Sequence, residues 1–189
     1  MDSDEQVYAR VRAGDRAALA VLVERYQGPL TKFLFRMTGQ TQTAEDLVQE
    51  AFIRLLTYRG APPERFRPWV FTIAHNLACD TFRSAAVRRE TEELPDEKQG
   101  SEWIVDPPDV ESLVFQASDY QQVSALLQRL PASQREVLVL RFYHELPLEE
   151  IARITRAPLG TVKSRLFHGL RRARSILEQE EESHDEKSS

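Results

Sequence analysis

The sequence has little cysteine and no long apolar run, and each scarcity excludes a class of protein. Cys79 is the one cysteine in 189 residues, so an internal disulfide cannot form and a secreted disulfide scaffold is excluded. No apolar stretch approaches the roughly 20 residues of a membrane span, and the acidic start at residues 1–5 is unlike a signal peptide. We therefore expect a chain without a membrane span that works in a reducing cytoplasm.

Charge is distributed unevenly, although the net charge of −5 is modest. Residues 1–89 hold 13 Lys and Arg against 10 Asp and Glu, and residues 119–177 hold 10 against 5. Residues 90–118 hold 1 against 9, and residues 178–189 hold 1 against 6. Two basic bodies are thus joined by an acidic segment and followed by an acidic tail, a pattern compatible with a polyanionic partner.

Hydrophobic periodicity predicts an all-α protein with two helical domains, because no alternating strand pattern is present. In the first domain, residues 1–89, we predict one helix capped by Asp15, a second over residues 43–58 and a third over residues 68–89. Consecutive prolines at Pro62 and Pro63 require a loop before the third helix.

The acidic segment at residues 90–118 is too long for an ordinary loop and contains three prolines, so we predict a flexible interdomain linker. The second domain covers residues 119–177, with Ser133 and Glu136 as a capping box. We predict that its last helix ends near Leu177 and that residues 178–189 form a disordered acidic tail.

A helix-turn-helix unit is predicted near the end of the second domain. The amphipathic segment at residues 148–155 and the helix that follows are separated by a short turn at residues 156–158, so the two helices must cross steeply. The second helix could enter a major groove. Its alternative is a helical hairpin with a merely solvated cationic face, but the turn and the basic run at 171–174 favour DNA. The candidate DNA-binding side chains are Thr161, Lys163, Ser164, Arg165, His168 and Arg171.

The first domain offers two further candidate surfaces. Residues 43–58 would bury one stripe and expose an acidic face with an isoleucine, which suits a partner helix. A metal or acid–base site at Glu45, Asp46 and Glu50 is the alternative, and it lacks an accompanying histidine. On residues 66–83, aromatic rings beside cations and amides suit single-stranded bases, although a core role for the rings is the alternative.

These segments resemble a family of bacterial proteins, the RNA polymerase sigma factors of the extracytoplasmic-function group. Residues 46–52, DLVQEAF, are similar to the region 2 segment that binds the beta-prime clamp helices. Residues 68–80, PWVFTIAHNLACD, resemble the helix that handles the minus-ten element. Residues 130–138 and 149–165 resemble region 4, which reads the minus-thirty-five element.

The resemblance implies a role for each candidate surface. Core polymerase, through its beta-prime and beta subunits, would bind Asp46, Gln49, Glu50 and Ile53. Duplex promoter DNA would bind the helix-turn-helix, and single-stranded DNA would bind the loop at residues 60–67 and the helix that follows. An anti-sigma factor is a further implied partner. The minus-ten set would comprise Arg59, Arg65, Phe66, Trp69, His75, Asn76, Asp80 and Arg83.

We expect no catalytic residues, no metal site and no cofactor, since no P-loop, HExxH or nucleophile motif is present. Three rival hypotheses stay open. A dimeric helix-turn-helix repressor or activator would leave the acidic face at residues 46–53 unused. A helical hydrolase would need metal-dependent activity at Asp46. A sigma mimic would bind an anti-sigma factor without binding DNA.

Overall fold

The structure is a computed structural model that describes residues 2–88 and 120–187, and within those ranges every regular element is helical. No helix in the two ranges is both long and apolar enough to cross a membrane. The all-α prediction with two helical domains is confirmed. The predicted linker at residues 90–118 lies outside the described residues.

Within the described ranges, the first domain contains four helices, and the second contains four together with a π-helical turn. The first has α1 (Asp4–Arg12), α2 (Arg16–Thr38), α3 (Thr41–Thr57) and α4 (Phe66–Arg88). The second has α5 (Tyr120–Gln128), α6 (Ala132–Leu138), the π-helical turn Val139–Tyr143, α7 (Leu148–Thr155) and α8 (Leu159–Lys187).

Side-chain caps fix the ends of the first helices. Ser3 and Gln6 form a capping box at the start of α1, and the Asp15 carboxylate accepts the first amides of α2, as predicted. Gly39 ends α2 with a φ of 73°, a left-handed conformation that glycine adopts without strain. Glu5 on α1 accepts a 2.9 Å hydrogen bond from the backbone amide of Phe66, so α1 caps α4.

Several predicted boundaries were wrong. The helix expected from residue 43 begins at Thr41, and the one expected from residue 68 begins at Phe66. At Phe66 the backbone amide has no capping side chain nearby in sequence, and Glu5 from α1 accepts its hydrogen bond instead. Ser133 and Glu136 do not form a capping box, because Pro131 occupies the cap position of α6.

The predicted disordered tail was also wrong for residues 178–187, because α8 continues to Lys187. Its sequence there is rich in good helix formers. Ion pairs from Arg174 to Glu178 (2.9 Å) and from Arg129 to Glu180 (2.6 Å) add support, the second by linking α8 to the end of α5.

Gly169 allows α8 to pack closely on α6. A Cβ atom at this position would lie 3.0 Å from Leu138 Cδ1 and 3.3 Å from Gln134 Cβ. Val162, Leu170 and Ala173 of α8 are buried on the inner side of the helix. The glycine therefore lowers helix propensity but permits a tight interhelical contact.

The two domains pack against each other at a surface that we call the domain interface. It joins the end of α2 and one side of α4 to α5, α6, the π-helical turn and α7. Gln128 Nε2 donates to the Arg36 carbonyl at 2.9 Å, and the Arg135 guanidinium donates to the Met37 carbonyl. The second domain thus caps the C-terminal end of α2, where a cation also interacts favourably with the helix dipole.

Candidate nucleic-acid and protein interfaces

The solvent-facing side of α3 carries the four residues predicted to bind a protein partner. Asp46, Gln49 and Ile53 are exposed, and Glu50 is half-buried beside Arg54, to which it is paired at 3.0 Å. The structure therefore brings all four onto one helical face. Among the described residues, the large exposed apolar side chains are Ile53, Leu56 and Tyr58, all on α3 or directly after it.

The loop between α3 and α4 lies beside a cluster of aromatic rings. Trp69 is half-buried and its ring centroid lies 5.2 Å from that of Tyr8 and 5.1 Å from that of Tyr58. Phe66, another predicted DNA contact, has no exposed surface and packs against Tyr8 and Tyr26. A base could therefore stack on Trp69 more readily than on Phe66, which has no exposed surface.

The cations of this region differ in what they contact. Arg59 is exposed in the loop. Arg65 forms an ion pair with Glu150 on α7 across the domain interface. Arg83 is exposed and lies 3.5 Å from Asp80, and Asn76 is half-buried on the same helix. The predicted minus-ten residues therefore spread from open solvent to the domain interface.

The helix-turn-helix is formed as predicted. Arg156 ends α7 with a φ of 53°, and α8 begins three residues later. Lys163 and Arg171 are exposed, whereas Thr161, Ser164, Arg165 and His168 are half-buried. The structure brings all six onto the first half of α8, and Arg165 forms an ion pair with Glu136 on α6.

Glu136 on α6 joins two candidate DNA-binding residues from different domains. Its Oε2 atom lies 2.7 Å from His75 Nε2, and its Oε1 atom accepts a 3.2 Å hydrogen bond from Arg165. Cys79 Sγ lies 3.4 Å from the same His75 nitrogen. His75 and Glu136 are only 6% and 7% exposed, so this cluster is largely removed from solvent.

Electrostatics at this cluster favour the charged form of His75. Burial acts to lower its pKa, but hydrogen bonds to Cys79 and Glu136 outweigh burial and raise the pKa to about 9. His75 and Arg165 therefore both present cations to the Glu136 carboxylate.

His144 shows the opposite behaviour at the domain interface. Its ring packs on those of Phe33 and Phe71, with centroids 5.7 and 4.6 Å away. Burial, together with the positive charges of Arg36, Arg67 and Lys32, lowers its pKa to about 3. This histidine is held neutral in the folded chain.

Sequence reasoning missed several residues of these surfaces. Leu56 and Tyr58 continue the α3 face, and an outward position on the helical wheel could have revealed Leu56. Glu136 and His144 gave no local signal as interface residues, because their partners lie in the other domain.

Two family models match the chain. Sigma-70 region 2 matches residues 22–88, and sigma-70 region 4 matches residues 120–172. The first match covers most of the first domain, and the second match runs from α5 into α8.

Curated relatives match along nearly the whole chain. RNA polymerase sigma-H factor of Pseudomonas aeruginosa is 30% identical over 185 residues, covering 94% of this chain and 93% of the relative. ECF RNA polymerase sigma factor SigW of Bacillus subtilis is 31% identical, covering 89% and 93%.

Solved structures share the fold at lower identity. CnrH, solved in complex with the cytosolic domain of CnrY, matches with a TM-score of 0.67 and 20% identity, covering 94% of this chain and 99% of that one. RpoE of Bartonella quintana, solved with the anti-sigma factor NepR, gives a TM-score of 0.62 and 22% identity, covering 85% and 96%.

Proposed function

The chain belongs to the extracytoplasmic-function group of RNA polymerase sigma factors, and on that premise we propose that it binds core polymerase through α3 and promoter DNA through α4 and α8. Its function is transcription initiation. We further propose that it acts in the bacterial cytoplasm, where polymerase and promoter are found, and performs no chemistry itself.

The single observation that best supports the polymerase surface is the open apolar and acidic face of α3. Ile53 and Leu56 are exposed beside Asp46 and Gln49. Exposing leucine and isoleucine together to water is unfavourable unless a partner covers them. The acidic rim would then orient a partner helix that bears cations.

Replacing Asp46 and Glu50 together by Ala tests this surface. We expect core binding to weaken by about 1–3 kcal/mol because the acidic rim is lost, measured by titrating labelled chain with core polymerase. Glu24→Ala, an exposed acid on α2, is the matched control and should bind normally. Equal affinity of the double variant and the control would refute the assignment.

We propose that the two domains must separate before α4 and α8 can bind promoter DNA. His75 and Arg165 belong to the two predicted DNA-binding sets, and both are held by Glu136 at the domain interface. A duplex and a melted strand could not reach these two side chains while the cluster is intact. Binding of core polymerase at the open α3 face could precede that separation.

Arg165→Ala tests the helix-turn-helix in the holoenzyme. Loss of a base contact would weaken promoter binding by about 1–3 kcal/mol, and loss of a phosphate contact would lower the salt slope by about one. Arg129→Ala, directly after α5 and paired with Glu180 far from the first turns of α8, serves as the control. Unchanged affinity and an unchanged slope would remove Arg165 from the DNA interface.

An inhibitory protein partner is the second proposal. CnrH and RpoE were solved with CnrY and the anti-sigma factor NepR, and this chain shares their fold. A sigma mimic would bind such a partner but start no transcript. Transcription in vitro with core polymerase on promoter-containing templates therefore separates a working sigma factor from a mimic.

A further inference from the structure

We propose that His75, Cys79 and Glu136 form a site for one transition-metal dication, best matched by Zn²⁺, that bridges the two domains. Imidazole nitrogen, thiolate sulfur and carboxylate oxygen are the three donor types that zinc accepts in proteins. A soft thiolate in the set disfavours Mg²⁺ and Ca²⁺, which prefer oxygen ligands.

The donor atoms already lie close together. One ligand atom from each residue lies within 4.8 Å of the other two. Tetrahedral bonds to zinc of about 2.0–2.3 Å separate ligand atoms by about 3.3–3.8 Å. The 3.4 Å between Cys79 Sγ and His75 Nε2 fits this range.

The contact between His75 and Glu136 needs a small adjustment. Their atoms are 2.7 Å apart, a hydrogen-bond distance, which must lengthen by about 0.6 Å when a metal replaces the proton between them. Side-chain rotation alone supplies a shift of that size.

The helix geometry and the surrounding contacts support three protein ligands and one open position. His75 and Cys79 are four residues apart on α4, so both project from one helical face. Arg165 donates to Oε1 of Glu136 and leaves Oε2 for the metal. Such an outer contact orients a carboxylate ligand, and water would fill the fourth position.

The Arg165 cation beside the cluster does not prevent a dication from binding. Zinc takes cysteine as the thiolate and glutamate as the carboxylate. These two negative ligands would offset the charge of Zn²⁺, so the positive charge of Arg165 would remain the only excess at the site.

A metal at this site would hold the domains together. Two ligands come from α4 and one from α6, and a dication that binds only this arrangement stabilises it by mass action. We call the arrangement with the domains packed together closed and the arrangement with the domains separated open. Each tenfold rise in free Zn²⁺ above its dissociation constant raises the ratio of closed to open chains by about tenfold. This consequence rests on the proposed function, since it predicts that Zn²⁺ inhibits promoter binding.

Metal binding itself is tested on the full-length chain with Co²⁺ as the spectroscopic probe. We expect one equivalent of Co²⁺ to give a thiolate-to-cobalt charge-transfer band, and Zn²⁺ to displace it and raise the melting temperature by several degrees. Cys79→Ser should abolish the band, and Glu136→Gln should weaken binding by about tenfold or more. Glu149→Gln, an exposed acid on α7, should bind like the parent chain.

Each outcome decides between defined alternatives. Absence of the band overturns the site. A band that Glu136→Gln leaves at full affinity indicates a site within α4 alone and overturns the bridge between domains. Melting curves without metal show whether each variant is folded. The affinity of the holoenzyme for promoter DNA is measured with and without Zn²⁺. If the variants bind metal as expected but Zn²⁺ does not weaken promoter binding, the metal site is upheld. The proposal that the closed arrangement blocks DNA binding is then overturned.

Discussion

The exposed face of α3 and the domain interface both carry residues that we propose bind a partner, but the first is open to solvent and the second is covered by the chain itself. Ile53 on α3 is 54% exposed and ready for a partner. At the domain interface, His75 and Arg165 are held by Glu136 from within the same chain. Under our proposal, docking on α3 needs no rearrangement, whereas promoter binding through α4 and α8 requires the domains to move apart. We expect polymerase binding to come first.

The largest effect should come from breaking the domain interface at Arg135. Its buried guanidinium donates to the carbonyls of Met37 and Leu130 and to the Gln128 side chain. Arg135→Ala would leave buried acceptors unpaired, and we expect the free energy of unfolding to fall by about 2–4 kcal/mol in a urea titration.

Arg129→Ala is the control for that measurement. Arg129 forms an exposed ion pair with Glu180, and such pairs contribute less than about 1 kcal/mol. Equal losses for the two variants would mean that Arg135 does not join the domains.

Acidification should weaken the domain interface. His144 has a normal pKa of 6.5 that burial, then nearby cations, lower to about 3 in the folded chain. Its contribution to stability is therefore complete above about pH 6.5 and is lost as pH falls toward 3. We expect this group to reduce the free energy of unfolding by up to a few kcal/mol over that range.

His144→Gln should remove this share of the acid sensitivity, because glutamine does not titrate. Denaturant unfolding across the pH series measures the difference between the variant and the parent chain. If His144→Gln leaves the change of unfolding free energy with pH unaltered, the conclusion that His144 is buried and neutral would be contradicted.

The smallest structural effect should come from the α3 face. Leu56→Ser removes an exposed apolar side chain, so stability should change by no more than about 0.5 kcal/mol. Binding to core polymerase should nevertheless weaken by about 1–2 kcal/mol. Gln27→Ser on the exposed side of α2 should change neither quantity, and a matching loss there would show that the effect is not local to α3.

Much of the fold could be predicted from local patterns. The cap at Asp15 and the turn at residues 156–158 depend on residues close in sequence, and the structure contains both. The α3 face was predictable for the same reason, since four residues within two turns define it.

The domain interface could not be predicted in this way. His75 and Glu136 are 61 residues apart, and each has a plausible local role, one as a DNA contact and the other in a cap. The predictions of two helix ends were wrong for a related reason. The start of α4 depends on Glu5, and the continuation of α8 is supported by Arg129. Contacts between distant segments set these features, whereas periodicity reports only nearby residues.

A distance between the two domains tests the central claim most directly. Spin labels at Glu24→Cys on α2 and Arg172→Cys on α8, in a Cys79→Ser background, would report it with and without core polymerase and promoter DNA. We predict one short distance in the free chain and a longer one in the promoter complex. The same short distance in both states would contradict the claim that promoter binding requires the domains to separate.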